Sequence, residues 1–397
     1  MSGSLRPRDA DELKDAIAWA VSGKAPLEVV GGGTKRAFGP PVQAAATLDV
    51  SGIAGIVSYE PEELVLSLRP GTPMTEVEEA LAGAGQMLAF EPPDLTALLG
   101  AEGTPTFGGL YATNLSGPRR IAAGAVRDHI LGVHAVSGRA EAFKAGGKVV
   151  KNVTGYDLAR ALTGSWGTLA VATEVTVKVL PRPQTETTIT VGGLDPEAGV
   201  AALSRALGSP ADVSGAAHLP ADVAPAVVDG AEGPVTLVRV EGFGPSVEAR
   251  AAALSRLFEG EDVASLSVDA SREAWRRIRD VSPFAGGRCA VWRCSVPPAA
   301  GPMVAAAAPP GSRAFLDWGG GLVWIETASD GDAGASVIRS AVANAGSGHA
   351  TLVSAPLDVR AAIPTFPVAG GPLGALTGRL KAAFDPEGIL NPGRMGR

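Results

Sequence analysis

From Leu169 to Val179, apolar side chains take alternate positions: Leu169, Val171, Val175, Val177 and Val179, with Thr173 in the same phase. Glu174, Thr176 and Lys178 fill the other phase. A period of two specifies a half-buried strand, and Pro181 and Pro183, which cannot donate to a ladder, end it. Just before it, Gly164 and Gly167 bracket a turn where bare backbone can lie against a neighbour. Such a turn is common on its own. Two more glycine-rich turns upstream give it meaning.

The first follows a short strand, Leu27 to Val30, and reads Gly31-Gly32-Gly33-Thr34-Lys35. Its glycines leave backbone N–H groups free to point at an anion, Thr34 adds a hydroxyl and Lys35 a positive charge. It is not a Rossmann loop, because Arg36 stands where the last glycine of Gly-x-Gly-x-x-Gly belongs. It is not a Walker loop either: the Gly-Lys pairs at 23–24 and 147–148 are followed by Ala25 and Val149. Leu48 to Val50 reads as a further strand, which suits neither motif. A plain loop between strands is the competing reading.

The second turn spans Thr106 to Arg120 and holds Gly108 and Gly109, then Thr113, Asn114 and Ser116, then Gly117, Arg119 and Arg120. The small polar groups can bond phosphate or ring heteroatoms, and the arginines can neutralise phosphate. A helix start capped by Ser116 or Asn114 is the alternative. Three such turns, each beside a strand, suggest a long ligand. A dinucleotide, with its diphosphate, ribose and two flat ring systems, suits backbone amides and small donors.

The rest of the chain supports two domains, for which 397 residues suffice. Residues 9–23 read as a helix capped by Asp9, and Thr72 reads as the N-cap of another with Pro73 in its first turn. Beyond Pro183, strands near 185–191, 234–241, 289–296, 314–317 and 322–326 mix with helices near 196–207, 247–258 and 335–345, an α+β pattern. Gly319 to Gly321 reads as a hairpin turn. Trp275, Arg276, Arg277 and Arg279 form a charged helical patch, either a solvated face or a docking surface.

Composition narrows the function. A net charge of -7 with no dense Lys/Arg cluster argues against nucleic acid. Cys289 and Cys294 cannot supply the four thiolates of an iron–sulfur cluster, and read as free thiols of a reducing compartment. His129, His134, His218 and His349 form no metal-ligand spacing, so no metal is expected. The N-terminus has no apolar core and no run of 18 apolar residues exists, so no transmembrane segment is predicted and the cytoplasm is expected.

These motifs resemble the vanillyl-alcohol-oxidase, or PCMH-type, FAD-binding flavoproteins, leaning towards the FAD-binding E subunits of bacterial glycolate oxidases. The resemblance rests on Gly31 to Lys35, on Gly108-Gly109 with Ala112 to Arg120, on Lys151 to Leu158, on Leu162 to Leu169, and on the tail Phe384 to Gly393. It covers roughly residues 10–182 and 379–393. It implies an α+β fold: a PCMH-type FAD-binding domain of two α+β subdomains over 1–183, a smaller α+β cap over 184–355, and a segment 356–397 that returns to the FAD domain. By the same resemblance Gly31, Gly32, Gly33, Thr34 and Lys35 wrap the pyrophosphate, near Gly108 and Gly109. Thr113, Asn114, Ser116 and Gly117 lie along the diphosphate and flavin, and Arg119 is at hand for phosphate. Gly167, Thr168 and Val171 line the adenine and ribityl side, while Tyr156 and Asp157 sit near the flavin.

Some relatives attach the flavin through a histidine in the first glycine loop. None stands there, so FAD is expected to be non-covalent. The metal motif His-x-Gly-Asp-Gly-Asn-x-His of related hydroxy-acid dehydrogenases is absent, its remnant being Gly346-Ser347-Gly348-His349. The implied function is oxidation of glycolate or another small 2-hydroxy acid, in a complex with a sister flavoprotein subunit and an iron–sulfur subunit, with any membrane contact made through partners. A stand-alone oxidase of another hydroxy acid or alcohol is the alternative, and a scaffold that has lost FAD is a third. No catalytic base is assigned; Tyr156 and Arg288 are contributors at most.

Overall fold

The alternating run becomes the strand Ala170–Lys178, the centre of a five-stranded antiparallel sheet. The computed structural model describes residues 3–148, 156–367 and 370–396. On one side of the central strand lie Val65–Leu68 and then Ile56–Glu60; on the other lie Ile130–Ser137 and then Ala142–Gly146. The alternation does not keep one phase. The register shifts opposite His134 and Ala135, which face Glu174 and Ala172, so Thr173 is the extra residue of a bulge. Val175, Val177 and Val179 pack into the sheet's main core with Ala170 and Ala172, whereas Val171 turns the other way, onto Ile17, Leu27 and Leu390. A strict period-two reading puts Val171 on the wrong face.

That second face belongs to a small parallel sheet of Gly3–Leu5, Ala46–Asp49 and Leu27–Val30. The helix Ala10–Gly23 buries Leu13, Ile17 and Ala20 against it, with Asp9 accepting from the amides of Asp11 and Glu12. The tail closes the same layer. The Leu27 amide donates to the Ile389 carbonyl at 2.7 Å and the Asn391 amide to the Leu27 carbonyl at 3.0 Å, so distant ends of the sequence meet in an isolated parallel bridge between Leu27 and Leu390.

The eight-stranded antiparallel sheet draws every strand from residues 185–354, in the order Asp262–Leu266, Thr185–Gly192, Val235–Gly242, Gly215–Leu219, Arg313–Asp317, Leu322–Thr327, Ala290–Ser295, His349–Ser354. Val238 and Val240 face the helices Pro196–Leu207 and Gly244–Leu257 through Leu203 and Leu254. Leu237, Phe315 and Trp324 face the opposite way, against Leu95, Leu115 and Trp166 of the first half. The chain is therefore α+β.

Several local readings change. Thr72 caps no helix: its hydroxyl donates to the Arg69 carbonyl at 2.7 Å and accepts from the Gly55 amide at 2.9 Å, and the helix begins at Met74 after Pro73. The strands Gly215–Leu219 and Asp262–Leu266 escape the sequence pattern. The former is buried at every position, so no polar alternation marks it. The Trp275 helix, Val268–Arg279, is neither a fully solvated face nor an open patch. Trp275 is 2% exposed and its indole N–H donates to the Thr188 hydroxyl at 2.8 Å.

Candidate functional site

Where Leu27–Val30 ends, its backbone enters a cleft with two connected lobes, both walled by Val29, Gly31, Gly109, Trp166 and Asn391. The first lobe is bounded by Gly31 to Arg36, Thr106, Thr113 and Arg394. The second runs past Pro70, Gly108 and Tyr111 to Gly167, Ala170 and Val171.

The glycine loop owes its shape to close backbone contact. A Cβ on Gly32 would stand 1.6 Å from the Thr104 carbonyl oxygen, and one on Gly103 would stand 1.7 Å from that of Gly32. Only glycine lets these two segments touch. The loop's internal bonds use the amides of Arg36 and Phe38. Among the described residues, the amides of Gly32, Gly33, Thr34 and Lys35 donate to no protein acceptor. A run of amides left over in a turn is an anion-binding concavity. Lys35 adds charge there: among the described residues it makes no ion pair, and burial pushes its ammonium down while Asp94 opposes the shift. Arg394 seals the loop from behind, donating to the Phe38 carbonyl at 2.7 Å, with burial lowering its guanidinium to about 10.

Asn391 fixes the far wall. Its side-chain carbonyl accepts from the Val29 amide at 2.8 Å, and its amide group donates to the Trp166 carbonyl at 2.8 Å. Trp166, at φ 54°, is held against Phe38 with ring centres 4.6 Å apart. The tail thus ties the strand end to the Gly164–Gly167 turn.

The second glycine-rich turn is a helix, Phe107–Thr113, whose N-cap is Thr106 rather than Ser116 or Asn114. It brings Gly108, Gly109 and Thr113 to the cleft, the Thr113 hydroxyl donating to the Gly109 carbonyl at 2.9 Å. Asn114 ends the helix in the left-handed region at φ 54° and accepts from the Arg127 amide at 3.0 Å, off the cleft. Ser116 and Gly117 open onto a separate cavity. Arg119 is not available to a phosphate: its guanidinium donates to Glu241 at 2.7 and 2.9 Å and lies 3.2 Å from Glu91. Thr168 turns its hydroxyl to the Ser165 carbonyl at 2.7 Å.

Tyr156 and Asp157 are not brought to the cleft. Tyr156 is 90% exposed, and Asp157 caps Leu158–Leu162 by accepting from the Arg160 amide. Residues 151–155, which helped to suggest them, lie outside the described residues. Arg288 is exposed, its carbonyl taken by the Ser329 hydroxyl. Sequence reasoning missed Trp166, Asn391 and Arg394 as site residues, although Trp166 and Asn391 lay inside the quoted motifs. Among the described residues no group of three or more His, Cys, Asp or Glu is placed to hold a metal. Among the described residues no helix is long and apolar enough to cross a membrane.

The cleft suits FAD. It offers unengaged amides and a lysine for a diphosphate, bare glycines for close approach, and apolar walls for flat rings. Comparison with known proteins agrees. The family model for the FAD binding domain matches residues 2–146, and that for the C-terminal domain of FAD linked oxidases matches 369–395. Over 384 residues the chain is 36% identical to the glycolate oxidase subunit GlcE of Escherichia coli K12, covering 96% of each. The chain belongs to the FAD-linked oxidase family. This flavoprotein is also 30% identical over 186 residues to the glycolate oxidase subunit GlcD of Bacillus subtilis, 47% of this chain and 38% of that one. Among solved structures, p-cresol methylhydroxylase superposes with a TM-score of 0.74 over 99% of this chain and 88% of its own, at 16% identity, which shows the fold. The flavoprotein is an FAD-dependent oxidoreductase.

Proposed function

We propose that this flavoprotein is the FAD-carrying subunit of a glycolate oxidase, turning glycolate to glyoxylate beside a sister flavoprotein and an iron–sulfur subunit. The observation that carries the reading is the cleft at Gly32 to Lys35, in a chain similar to GlcE along nearly its whole length. The chemistry FAD would supply is acceptance of the hydride from the hydroxyl-bearing carbon, while a base takes the hydroxyl proton and the two electrons pass on to the partner.

The chain's own residues do the rest. The amides of Gly32 to Lys35 and the Lys35 ammonium would hold the diphosphate; Gly108, Gly109 and Thr113 would flank it. Gly167, Val171 and Trp166 would bound the ring and ribityl portion in the second lobe. Asn391 would hold that wall in place. Among the described residues no histidine or cysteine lines either lobe, which supports non-covalent binding. The division into an FAD-binding part over 1–183, a cap over 184–355 and a returning tail over 356–397 belongs to the same proposal, as does a cytoplasmic site of action.

Purified protein should be yellow, and acid precipitation should release free FAD into the supernatant. Glycolate added without oxygen should bleach the flavin absorbance, with this chain alone or once its partners are present. Colourless protein that takes up no added FAD overturns the reading.

A further inference from the structure

The helix Gly371–Phe384 forms with little help from the rest of the chain. Gly374 and Gly378 stand inside it, and each costs about 1 kcal/mol relative to alanine. A helix of this length is marginal in water even without them. Packing of one face normally supplies the deficit, yet none of its residues is buried. Leu373, Leu376 and Leu380 are 63%, 54% and 38% exposed. At helical spacing they form one stripe roughly 10 Å long. Arg379 and Lys381 are the only charges among mostly apolar and small residues. A helix that is apolar nearly all round belongs in an interior, and this one has none.

Its C-terminal end is moored. Phe384 lies against Phe143 with ring centres 5.8 Å apart, and the Lys381 ammonium donates to the Thr168 carbonyl at 2.6 Å while pairing with Asp385. Thr168 adjoins Gly167, which lines the second lobe, so the helix is rooted in the wall of the cofactor cleft. Charge narrows what can cover the stripe. The helix carries two cations and no acid, on a chain of net charge -7. Asp385 neutralises Lys381, whereas Arg379 is exposed and makes no ion pair among the described residues. A second copy pairing through the same stripe would oppose like charges. A lipid surface asks for a cation-rich face opposite the apolar one, and that side of the helix offers Gly371, Ala375, Gly378 and Ala382. A protein groove with an apolar floor and carboxylates at its rim meets both the leucines and Arg379.

We propose that Gly371–Phe384 is a docking helix, which inserts Leu373, Leu376 and Leu380 into an apolar, carboxylate-rimmed groove on another subunit of the oxidase complex. Recognition of a helix in a groove uses anchors at i, i+3 and i+7, the spacing of these leucines. Arg379 pairs at the rim, where charge sets approach and register more than affinity. Burial of the stripe supplies the packing that the helix lacks in the free chain. Through Lys381 the docked helix also steadies Thr168 and the cleft wall beside it. The inference rests on the reading of the chain as one subunit of a complex.

Binding titrations of the full chain with its two companion subunits, the sister flavoprotein and the iron–sulfur protein, test it, together with hydrogen exchange on the chain alone and in the complex. The double variant Leu373→Ser, Leu376→Ser should weaken assembly roughly tenfold or more. Arg379→Glu should weaken it less, with a larger effect at low salt than at high. These side chains are exposed in the free chain, so the variants should fold, which circular dichroism and flavin content verify. Amides of residues 374–383 should exchange fast in the free chain and slow roughly tenfold or more in the complex. Undiminished assembly of the double variant overturns the proposal, as does a wild type that takes up neither companion. Exchange already slow in the free chain and unchanged in the complex overturns it too. So does self-association, or binding to phosphatidylglycerol vesicles, that the leucine changes abolish while companion binding stays intact. Companions held through the helix in a complex whose flavin glycolate never reduces sink the functional reading and leave the docking helix standing. A glycolate-reducible complex that holds the double variant as tightly as wild type does the reverse.

Discussion

Replacing Glu91 with glutamine should destabilise the junction between the two halves more than any single surface change. Glu91 accepts from the Arg119 amide at 2.6 Å and from both terminal nitrogens of Arg239 at 2.9 Å. Arg239 also lies 3.5 Å from Glu241, which pairs with Arg119 at 2.7 Å. The four side chains form a buried quartet of zero net charge; Arg239 is 2% exposed and Glu241 5% exposed. Glu91→Gln leaves one positive charge unbalanced there, and breaking a buried pair in this way costs about 3–5 kcal/mol. The double variant Glu91→Gln, Arg239→Met restores neutrality around Arg119 and Glu241 and keeps volume over Trp275, whose ring centre lies 4.7 Å from the Arg239 guanidinium. It should recover a large part of that loss, because an uncompensated charge costs more than an absent pair.

Urea melts followed by tryptophan fluorescence give the comparison. The acid side gives a second handle. Burial works against the Glu241 charge, but Arg239 and Arg119 override it and hold the carboxyl down at about 2. A carboxyl depressed in the folded state lends stability that is complete above its unfolded value, about 4.5, and fades as pH falls towards about 2. Wild type should lose this contribution across that window. A single variant within about 1 kcal/mol of wild type, or a double variant no more stable than the single, would refute the reasoning.

Three further outcomes follow from the cleft. Gly32→Ala must displace the Thr104 backbone, so the protein should fold but purify with little FAD, read as the flavin absorbance per chain. Lys35→Met should weaken FAD roughly tenfold or more in a fluorescence titration, with a smaller difference at high salt than at low. Asn391→Gly tolerates the positive φ of 43° yet loses both side-chain bonds, so denaturation should show about 1–3 kcal/mol of lost stability; a value near zero would deny the tail its clamping role.

The cleft was legible where chemistry is local. Gly31 to Lys35 and Gly167 announce themselves because bare backbone and small donors are written residue by residue. What stayed hidden depends on remote partners. Arg119 and Asn114 look like ligand groups until Glu241 and the Arg127 amide claim them from elsewhere in the chain. The face of Val171 depends on one extra residue in a ladder, which no periodicity shows. Trp275 sits in a run of arginines and reads as surface, but its helix lies along a strand whose Thr188 hydroxyl receives the indole. Asn391 is the converse case: its motif was visible, its bonds to Val29 and Trp166 were not.

The short segment from Thr113 to Arg119 touches all three features at once. Thr113 faces the cleft, Ser116 and Gly117 face the small cavity, and Arg119 enters the charged quartet. A Cβ on Gly117 would fall 2.5 Å from the Glu91 carbonyl oxygen and 2.9 Å from the Arg279 side chain, so the segment has little room to shift alone. Its position is also pinned by the Trp318 indole, which donates to the Gly117 carbonyl at 3.0 Å. Trp318 in turn carries Arg293 and Arg120 near its ring. Loosening the quartet should therefore reach the cofactor cleft through this segment. Glu91→Gln should lower the flavin absorbance per chain as well as stability, while a charge removed from the far surface, such as Glu62→Gln, should alter neither.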